Sequence, residues 1–528
     1  MCGIIFIFGN SISEHDFSEY MKQLSHRGPD ASDYMRIDND AVMGFTRLRI
    51  NDLSENGMQP MSNEDDSVFM ICNGEIFNHK EVIDKHNFTT KSLSDCEVIL
   101  HLYLKYRGDA KFINTMIEEL DGEFAFVIYD KTKKITIASR DRFGVRPLFR
   151  GQSNKMVAYA SEMKALSFCD EINQVIPGTY DIVDESKTIS NHTHYNLFNN
   201  TFINNHSEST ILKNINTLFR KAVEKRLMSE RPICCLLSGG LDSSLVSSLV
   251  ASHYPPNSIH TFSIGFEGSP DLYYARKVAN HIKSKHHEVI VTEQDFLDQI
   301  ENTIKTIESY DTTTVRASVG NLLVCKYISE NTDFKVVFNG DYSDEVCGGY
   351  KYFKNASTSD AFDRECKRLV SDICYFDSLR SDRTISSQGL EARVPFSDHA
   401  FVQYYFSIPC EMRMRSDKYM LRKAFEDDDL LPSEILWRPK EAFSDGVSKK
   451  ERSWHVILKN HIDSMISDDE FEKHRNNIIF NKPLLKESYY YRKIYDENYQ
   501  RYPYTIPYFW MPKWCDSSII DPSAREII

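Results

Sequence analysis

Residues 233–244 read Ile233-Cys234-Cys235-Leu236-Leu237-Ser238-Gly239-Gly240-Leu241-Asp242-Ser243-Ser244. Five apolar residues ending at a Ser-Gly-Gly turn predict a short buried strand. The DSSLVSSLVASHY segment that follows predicts a helix. Small residues at a strand-to-helix junction let backbone N–H groups face an anion, and the helix dipole assists. The serine hydroxyls add donors, and Asp242 can hold a divalent cation through oxygen. No Gly-Lys-Ser/Thr follows, so a Walker-type loop is not supported.

Outward from this segment, strand and helix alternate. HTFSIGF, HHEVIVT and FKVVF read as strands, and SPDLYYARKVANHIK reads as a helix. Upstream, Ile211, Ile215, Leu218, Phe219, Ala222, Val223 and Leu227 keep a helical period. Such alternation predicts a doubly wound parallel sheet with helices on both faces. From about 360 to 528 the chain reads as mainly helical additions. Residues 186–210, rich in Asn, Ser, Thr and His, read as a linker. Residues 2–185 read differently: IIFIF, VFMICN, FAFVIYD, KITIAS and MVAYAS are short β-rich runs. Two helical stretches interrupt them, DCEVILHLYLKY and INTMIEEL. This half predicts sheets packed together.

The amino terminus reads Met1-Cys2-Gly3. A small second residue predicts removal of Met1, leaving a thiol beside a free α-amine. That amine has an ordinary pKa of about 7.7–8.0, so one residue supplies nucleophile and base. A cysteine at a strand start is otherwise a small buried hydrophobe. Five further segments follow: His26-Arg27-Gly28-Pro29-Asp30, Thr46-Arg47-Leu48-Arg49-Ile50, Asn73-Gly74-Glu75-Ile76-Phe77-Asn78-His79, Ser94-Asp95-Cys96-Glu97 and Asp121-Gly122-Glu123-Phe124-Ala125. Read singly, Asn73-Gly74 is also a hairpin turn, and Asp95 a helix cap.

In order and spacing these segments resemble the glutaminase domain of the N-terminal-nucleophile (class II) amidotransferases. The resemblance implies an αββα sandwich in which Cys2 attacks the glutamine amide. It implies that Asn73 and Gly74 stabilise the oxyanion, and that Arg47 grips the substrate carboxylate as a bidentate guanidinium can. Ile50, Glu75 and Asp95 complete the implied glutamine site.

The second half resembles the ATP pyrophosphatases, through SGGLDSS and several segments after it. These are Asp311-Thr312-Thr313-Thr314-Val315-Arg316, Ser343-Asp344-Glu345 with Gly348-Gly349-Tyr350, Gly389 to Phe396, Leu421 to Phe425 and Arg438 to Val447. The implied ATP site comprises Leu236, Ser238, Gly239, Gly240, Asp242, Ser243, Ser244, Ile264, Arg316, Asn339 and Gly340. Asp242 and Asp344 are implied to hold Mg²⁺, with Lys440 over the phosphates; outside this motif Lys440 would read as a solvated lysine.

Together the halves resemble the glutamine-dependent asparagine synthetases over roughly residues 2–455. The resemblance implies a glutaminase domain at 2–190, a linker at 191–210 and a synthetase domain at 211–528. It implies a β-aspartyl-AMP intermediate, an internal ammonia passage and a homodimer. One segment departs from the family's usual SGEGSDE. Here Asn339-Gly340-Asp341-Tyr342-Ser343-Asp344-Glu345 puts Asp341 for the glutamate linked to intermediate formation, and Tyr342 for a glycine. A tyrosine is strained there if the backbone needs positive φ. Two other readings stay open: a related carboxylate-adenylating amide or β-lactam synthetase, and a relative with an impaired synthetase site.

Composition sets outer bounds. With 63 basic against 77 acidic residues the net charge is −14, which disfavours nucleic acid and anionic membranes as partners. No apolar run approaches a membrane span of about 18 residues, and no basic n-region precedes the first apolar run. Twelve scattered cysteines without a CxxC pair fit a reducing, cytoplasmic setting.

Overall fold

Apolar runs in the first 196 residues close into two antiparallel sheets. The computed structural model describes residues 1–9, 12–107, 111–199, 202–415, 417–449, 452–516 and 518–523. These form two compact units, one of 1–196, 228–232 and 386–391, the other of 197–227, 233–385 and 392–528.

The strands of the first unit are β1 (Gly3–Phe8), β2 (Ala31–Arg36), β3 (Ala41–Arg47), β4 (Met61–Ser62), β5 (Val68–Ile76), β6 (Gly122–Asp130), β7 (Ile135–Arg140), β8 (Phe149–Ser153), β9 (Met156–Ala160), β10 (Glu171–Gln174), β11 (Thr179–Val183) and β12 (Ile189–Thr193). One sheet runs β10-β8-β9-β1-β3-β2, the other β12-β11-β7-β6-β5-β4. Side chains alternate across a strand, so β1 serves two layers. Ile4, Phe6 and Phe8 meet Phe69, Ile71, Val127 and Tyr129 of the second sheet in one core. On the other face of the first sheet lies α1 (Glu14–Lys22), close enough that a Cβ on Gly44 would meet Phe17 and Met21. Helices α2 (His79–His86), α3 (Glu97–Tyr106) and α4 (Phe112–Glu118) close a separate core on the outer face of the second sheet. The layering is α/β/β/α.

The polar stretch 191–210 opens inside β12, which pairs with β11; residues 200 and 201 in it lie outside the described residues. In the second unit α5 (Glu208–Lys225) starts on a Ser207 cap and buries Ile211, Ile215, Phe219, Ala222 and Val223, the apolar stripe read from the sequence. Then follow β13 (Ile233–Leu236), α6 (Leu241–Ala251), β14 (His260–Phe266), α7 (Pro270–His281), β15 (Lys285–Val291), α8 (Glu293–Asp298), α9 (Ile300–Ile307), α10 (Thr312–Asn331), β16 (Val336–Phe338), α11 (Ser343–Cys347), α12 (Ser359–Asp372), α13 (Asp377–Ser386) and β17 (Glu391–Arg393). The sheet order is β15-β14-β13-β16-β17, and β13 to β16 are parallel. By the right-handed rule for such crossovers, this strand order puts α6 and α7 on one face and α10 on the other. The order reverses between β13 and β16, and at such a switch point the carboxyl ends of neighbouring strands open a crevice. Helices dominate beyond residue 393.

Candidate active sites

In the first unit, Cys2 precedes β1 and sits beside the end of β3, because Gly3 pairs with Thr46. Its Sγ accepts from the Leu48 N–H at 3.4 Å, and Arg27 Nε donates to the Cys2 carbonyl at 2.9 Å. Arg27 in turn donates to Glu162 at 2.7 Å, so a buried ion pair orients the Cys2 backbone. Burial pushes the Cys2 thiol up to about 11, against the pull of the neighbouring amine. That amine belongs to Met1, which the structure retains fully buried with its nitrogen on the Leu390 carbonyl at 3.1 Å. Burial lowers the amine to about 6. The α-amine of Cys2 itself therefore belongs to a processed chain.

Arg47 is buried, and burial lowers its pKa. Among the described residues its guanidinium hydrogen-bonds only the carbonyl oxygens of Ser54, at 2.6 Å, and Asp52. These neutral acceptors orient the fork without neutralising it. Gly57 makes the room, since a Cβ there would sit 2.2 Å from the guanidinium.

Asn73 and Gly74 lie within β5, paired with Ala125 and Phe124 of β6, which removes the hairpin-turn alternative. A Cβ on Gly74 would fall 2.5 Å from the Glu123 carbonyl, so the ladder demands glycine. The Asn73 Nδ2 is buried with no partner among the described residues. Leaving a buried donor unmet costs about 1–3 kcal/mol, so this one marks a place for an acceptor. Asp95 does not cap α3; it reaches back to the Ile76 N–H at 2.6 Å. Asn51 bridges Glu75 at 2.6 Å and Asp95 at 3.4 Å. Its neighbour Ile50 is buried, and its carbonyl accepts from the Glu230 N–H at 3.0 Å. No short-range motif marks Asn51.

In the second unit a cavity of about 270 Å³ opens at the switch point. Two loops meet there because β13 and β16 are neighbours. Gly239 turns the first at φ +71°, and Gly240 opens α6. Ser238 and Ser243 hydroxyls lie 3.0 Å apart across the turn. A Cβ on Gly340 would sit 2.6 Å from the Ser243 nitrogen, so the second loop packs directly on the first. Leu236, Ser238, Gly240, Asp242, Ser243, Ile264, Arg316, Asn339, Gly340, Asp341, Asp344 and Lys440 all line the cavity. Gly239 and Ser244 do not; Ser244 is wholly buried, its hydroxyl turned into the protein beneath α6.

Arg316, expected to be available for phosphate, instead has its guanidinium taken by Glu487 at 2.6 and 2.8 Å and Asp521 at 2.8 and 2.9 Å.

Asp242 and Asp344 do converge, on a residue the sequence reading passed over. Lys418 Nζ lies 2.7 Å from Asp242, 2.6 Å from Asp344 and 3.0 Å from the Ser343 hydroxyl. A Cβ on Gly349 would strike the Lys418 chain at 1.9 Å. Lys440 takes the other Asp344 oxygen. Burial alone would raise Asp344, but the two lysines outweigh it and hold the carboxylate ionised. Glu345 behaves oppositely: burial, then Asp377 and Asp344, push it well above the carboxylate range. Burial also lifts Asp271 to about 7 despite Arg438 at 3.0 Å. Asp341 meets Arg380 at 2.7 Å through one oxygen, while the other is buried without a partner among the described residues. Tyr342 stands at φ +75°, a conformation that costs a non-glycine residue about 1–3 kcal/mol.

The glutamine amidotransferase domain family matches residues 1–210, and the asparagine synthase family matches 214–363 and 354–509. The chain is 40% identical over its whole length to "Asparagine synthetase [glutamine-hydrolyzing]" of Gallus gallus, covering 98% of that protein. The proteins of the same name from Rattus norvegicus and Homo sapiens are 40% and 39% identical at the same coverage. This chain belongs to the asparagine synthetase family. Membership covers both halves of the chain. Among the described residues no helix is long and apolar enough to cross a membrane.

Proposed function

We propose that the chain converts aspartate to asparagine with ammonia taken from glutamine, driven by cleavage of ATP to AMP and pyrophosphate. The observation that carries this reading is the pair of chemically complementary sites in one chain. One holds a thiol with an unmet amide donor; the other holds an anion cradle with opposed carboxylates and lysines.

At the first site Cys2 Sγ attacks the glutamine side-chain carbon. The C–N bond breaks, ammonia leaves, and water later releases glutamate from the thioester. Asn73 Nδ2 and the Gly74 N–H receive the oxyanion. Arg47 binds the α-carboxylate, and Glu75 and Asp95, bridged by Asn51, bind the α-ammonium; Ile50 shapes the apolar wall. At the second site the aspartate β-carboxylate attacks the α-phosphorus and pyrophosphate leaves. Ammonia then attacks the acyl carbon, AMP leaves, and Asp341 accepts the surplus proton. The loop from Leu236 to Ser243 with Asn339 and Gly340 holds the phosphates, and the backbone near Ile264 contacts adenine. Arg316, tied to Glu487 and Asp521, shapes the cavity wall.

Asp242 and Asp344 offer hard oxygen donors that already converge on one cationic point, Lys Nζ, so they suit magnesium. Bound there, the metal would neutralise charge on the departing pyrophosphate. Lys440 supports the same charge from the other side.

Residues 2–190 are the glutaminase domain, 191–210 the linker and 211–528 the synthetase domain. The chain works in the cytoplasm as a homodimer, without nucleic-acid or membrane partners; the −14 charge supports the absence of those two partner classes alone. Product analysis with glutamine, aspartate and Mg-ATP tests the reading. Asparagine, glutamate, AMP and pyrophosphate in equal amounts are expected; ADP in place of AMP overturns it.

A further inference from the structure

Three residues of the loop after β16 reach the same helix. Asn339 Nδ2 donates to the Ser381 hydroxyl at 2.9 Å, Arg380 binds Asp341 at 2.7 Å, and the Tyr342 hydroxyl donates to Ser378 at 2.8 Å. Ser378, Arg380 and Ser381 all belong to α13, with Ser378 and Ser381 one helical turn apart. On its other side the loop is pressed against the first phosphate loop through Gly340. Tyr342 is held at φ +75° with its ring 1% exposed. A strained backbone of this kind persists only where its surroundings over-determine it, and such sites cluster where geometry serves chemistry.

We propose that Tyr342 and Ser378 are positioning residues: their hydrogen bond fixes the loop to α13 so that the short side chain of Asp341 reaches the reacting centre. Aspartate is one methylene shorter than glutamate, so its carboxylate can be placed only by moving the backbone. The Arg380 ion pair fixes one oxygen of Asp341. The Tyr342–Ser378 bond fixes the main chain one residue later and holds it in the left-handed turn. The second oxygen of Asp341 is buried and unmet among the described residues, on a residue that lines the cavity. The inference rests on the reading above that this cavity is the synthetase site.

The test uses the full chain with Tyr342→Phe, Ser378→Ala and the double variant. Aspartate-dependent pyrophosphate release is measured with saturating ammonia, alongside KM for ATP and Tm. Each single variant should lose about fivefold in kcat, the range one hydrogen bond supports, with KM for ATP within about twofold. The double variant should lose no more than either single one, because both remove the same bond. Losses that multiply to about 25-fold overturn the inference. So does wild-type kcat in either single variant, including wild-type kcat with a lowered Tm, which would mark a merely structural tether. Ser378→Ala keeps the test decisive if Tyr342→Phe fails to fold. If the wild-type chain makes no aspartate-dependent pyrophosphate, the proposed function falls and this inference with it. If the wild type is active and the variants match it, only the inference falls.

Discussion

The two sites solve opposite electrostatic problems. In the first site charge pairs stand behind the polar groups: Cys2 is a buried thiol backed by the Arg27–Glu162 pair, Arg47 rests on carbonyl oxygens, and Asn73 has an unmet donor among the described residues. The synthetase cavity is crowded with pairs, among them Lys418 between Asp242 and Asp344, Lys440 on Asp344, and Arg380 on Asp341. The difference follows from the ligands. Glutamine brings a neutral amide that becomes an oxyanion only in the transition state, so donors are best left unspent beforehand. A triphosphate brings several negative charges at once, and a site that receives them needs lysines held rigid in advance by carboxylates. The backbone differs accordingly. The first site hangs on ladder positions of antiparallel strands, the second on loops at the ends of parallel ones.

The comparison breaks most sharply at the nucleophile. Cys2→Ala should lower glutamine-dependent asparagine formation at least about 10³-fold, while ammonia-dependent formation persists. Product assays with each nitrogen donor decide it, and loss of both activities would deny that the sites are separable. Next in size, Lys440→Ala should lower pyrophosphate release roughly 10²- to 10³-fold, as expected for removing a preorganised charge. A change confined to KM for ATP would make Lys440 a ground-state binder only. Arg47→Lys should raise KM for glutamine about 10- to 100-fold with a smaller effect on kcat, because a point charge replaces a bidentate fork.

A thiol held at about 11 also makes a prediction. In a chain that keeps Met1, alkylation of Cys2 should accelerate about tenfold per pH unit until pH approaches that value. A plateau near pH 8 would show that burial does not govern the thiol. The smallest effect concerns Glu97. Burial raises it, but hydrogen bonds from His101, Ser92 and the Lys91 and Ser92 N–H groups outweigh burial and lower it to about 2. A folded pKa below the unfolded value adds stability above the unfolded pKa, near 4.5, and loses it as pH falls through the folded one. The Tm gap between wild type and Glu97→Gln should therefore hold above about pH 5 and close towards pH 2. A gap independent of pH would assign the effect to packing.

How much could be read in advance differs between the regions. HTFSIGF matches β14 residue for residue, because a short run rich in β-branched and aromatic residues between turn signals reads as a strand. The core strand IIFIF is legible from its continuous apolar run, and the helices near 97–106 and 112–118 from their helical period. The strand ASDYMR was not: it is an edge strand, half exposed, with no apolar alternation. In the candidate sites, short-range motifs picked out Cys2, Arg47, Asn73 and the SGGLDSS loop. Asn51 and Lys418 escaped because each works through partners far along the chain, with 176 residues between Lys418 and Asp242. Arg316 was misjudged for the same reason; its partners Glu487 and Asp521 lie 171 and 205 residues away.

The amino-acid order by itself determined which chemistries are present, since a thiol after Met1, a Ser-Gly-Gly turn and an Asp341-Tyr342 pair are facts of local sequence. The chain also carried the two sheet classes, because periodicity is a local property. Only the tertiary structure decided how charges are shared. Which carboxylate meets which lysine depends on strand order, and the reversal between β13 and β16 is what brings Asp242, Asp344 and Lys418 to one point. A hydrogen bond or ion pair is a distance between atoms, and the fold alone sets distances between residues that the chain keeps far apart.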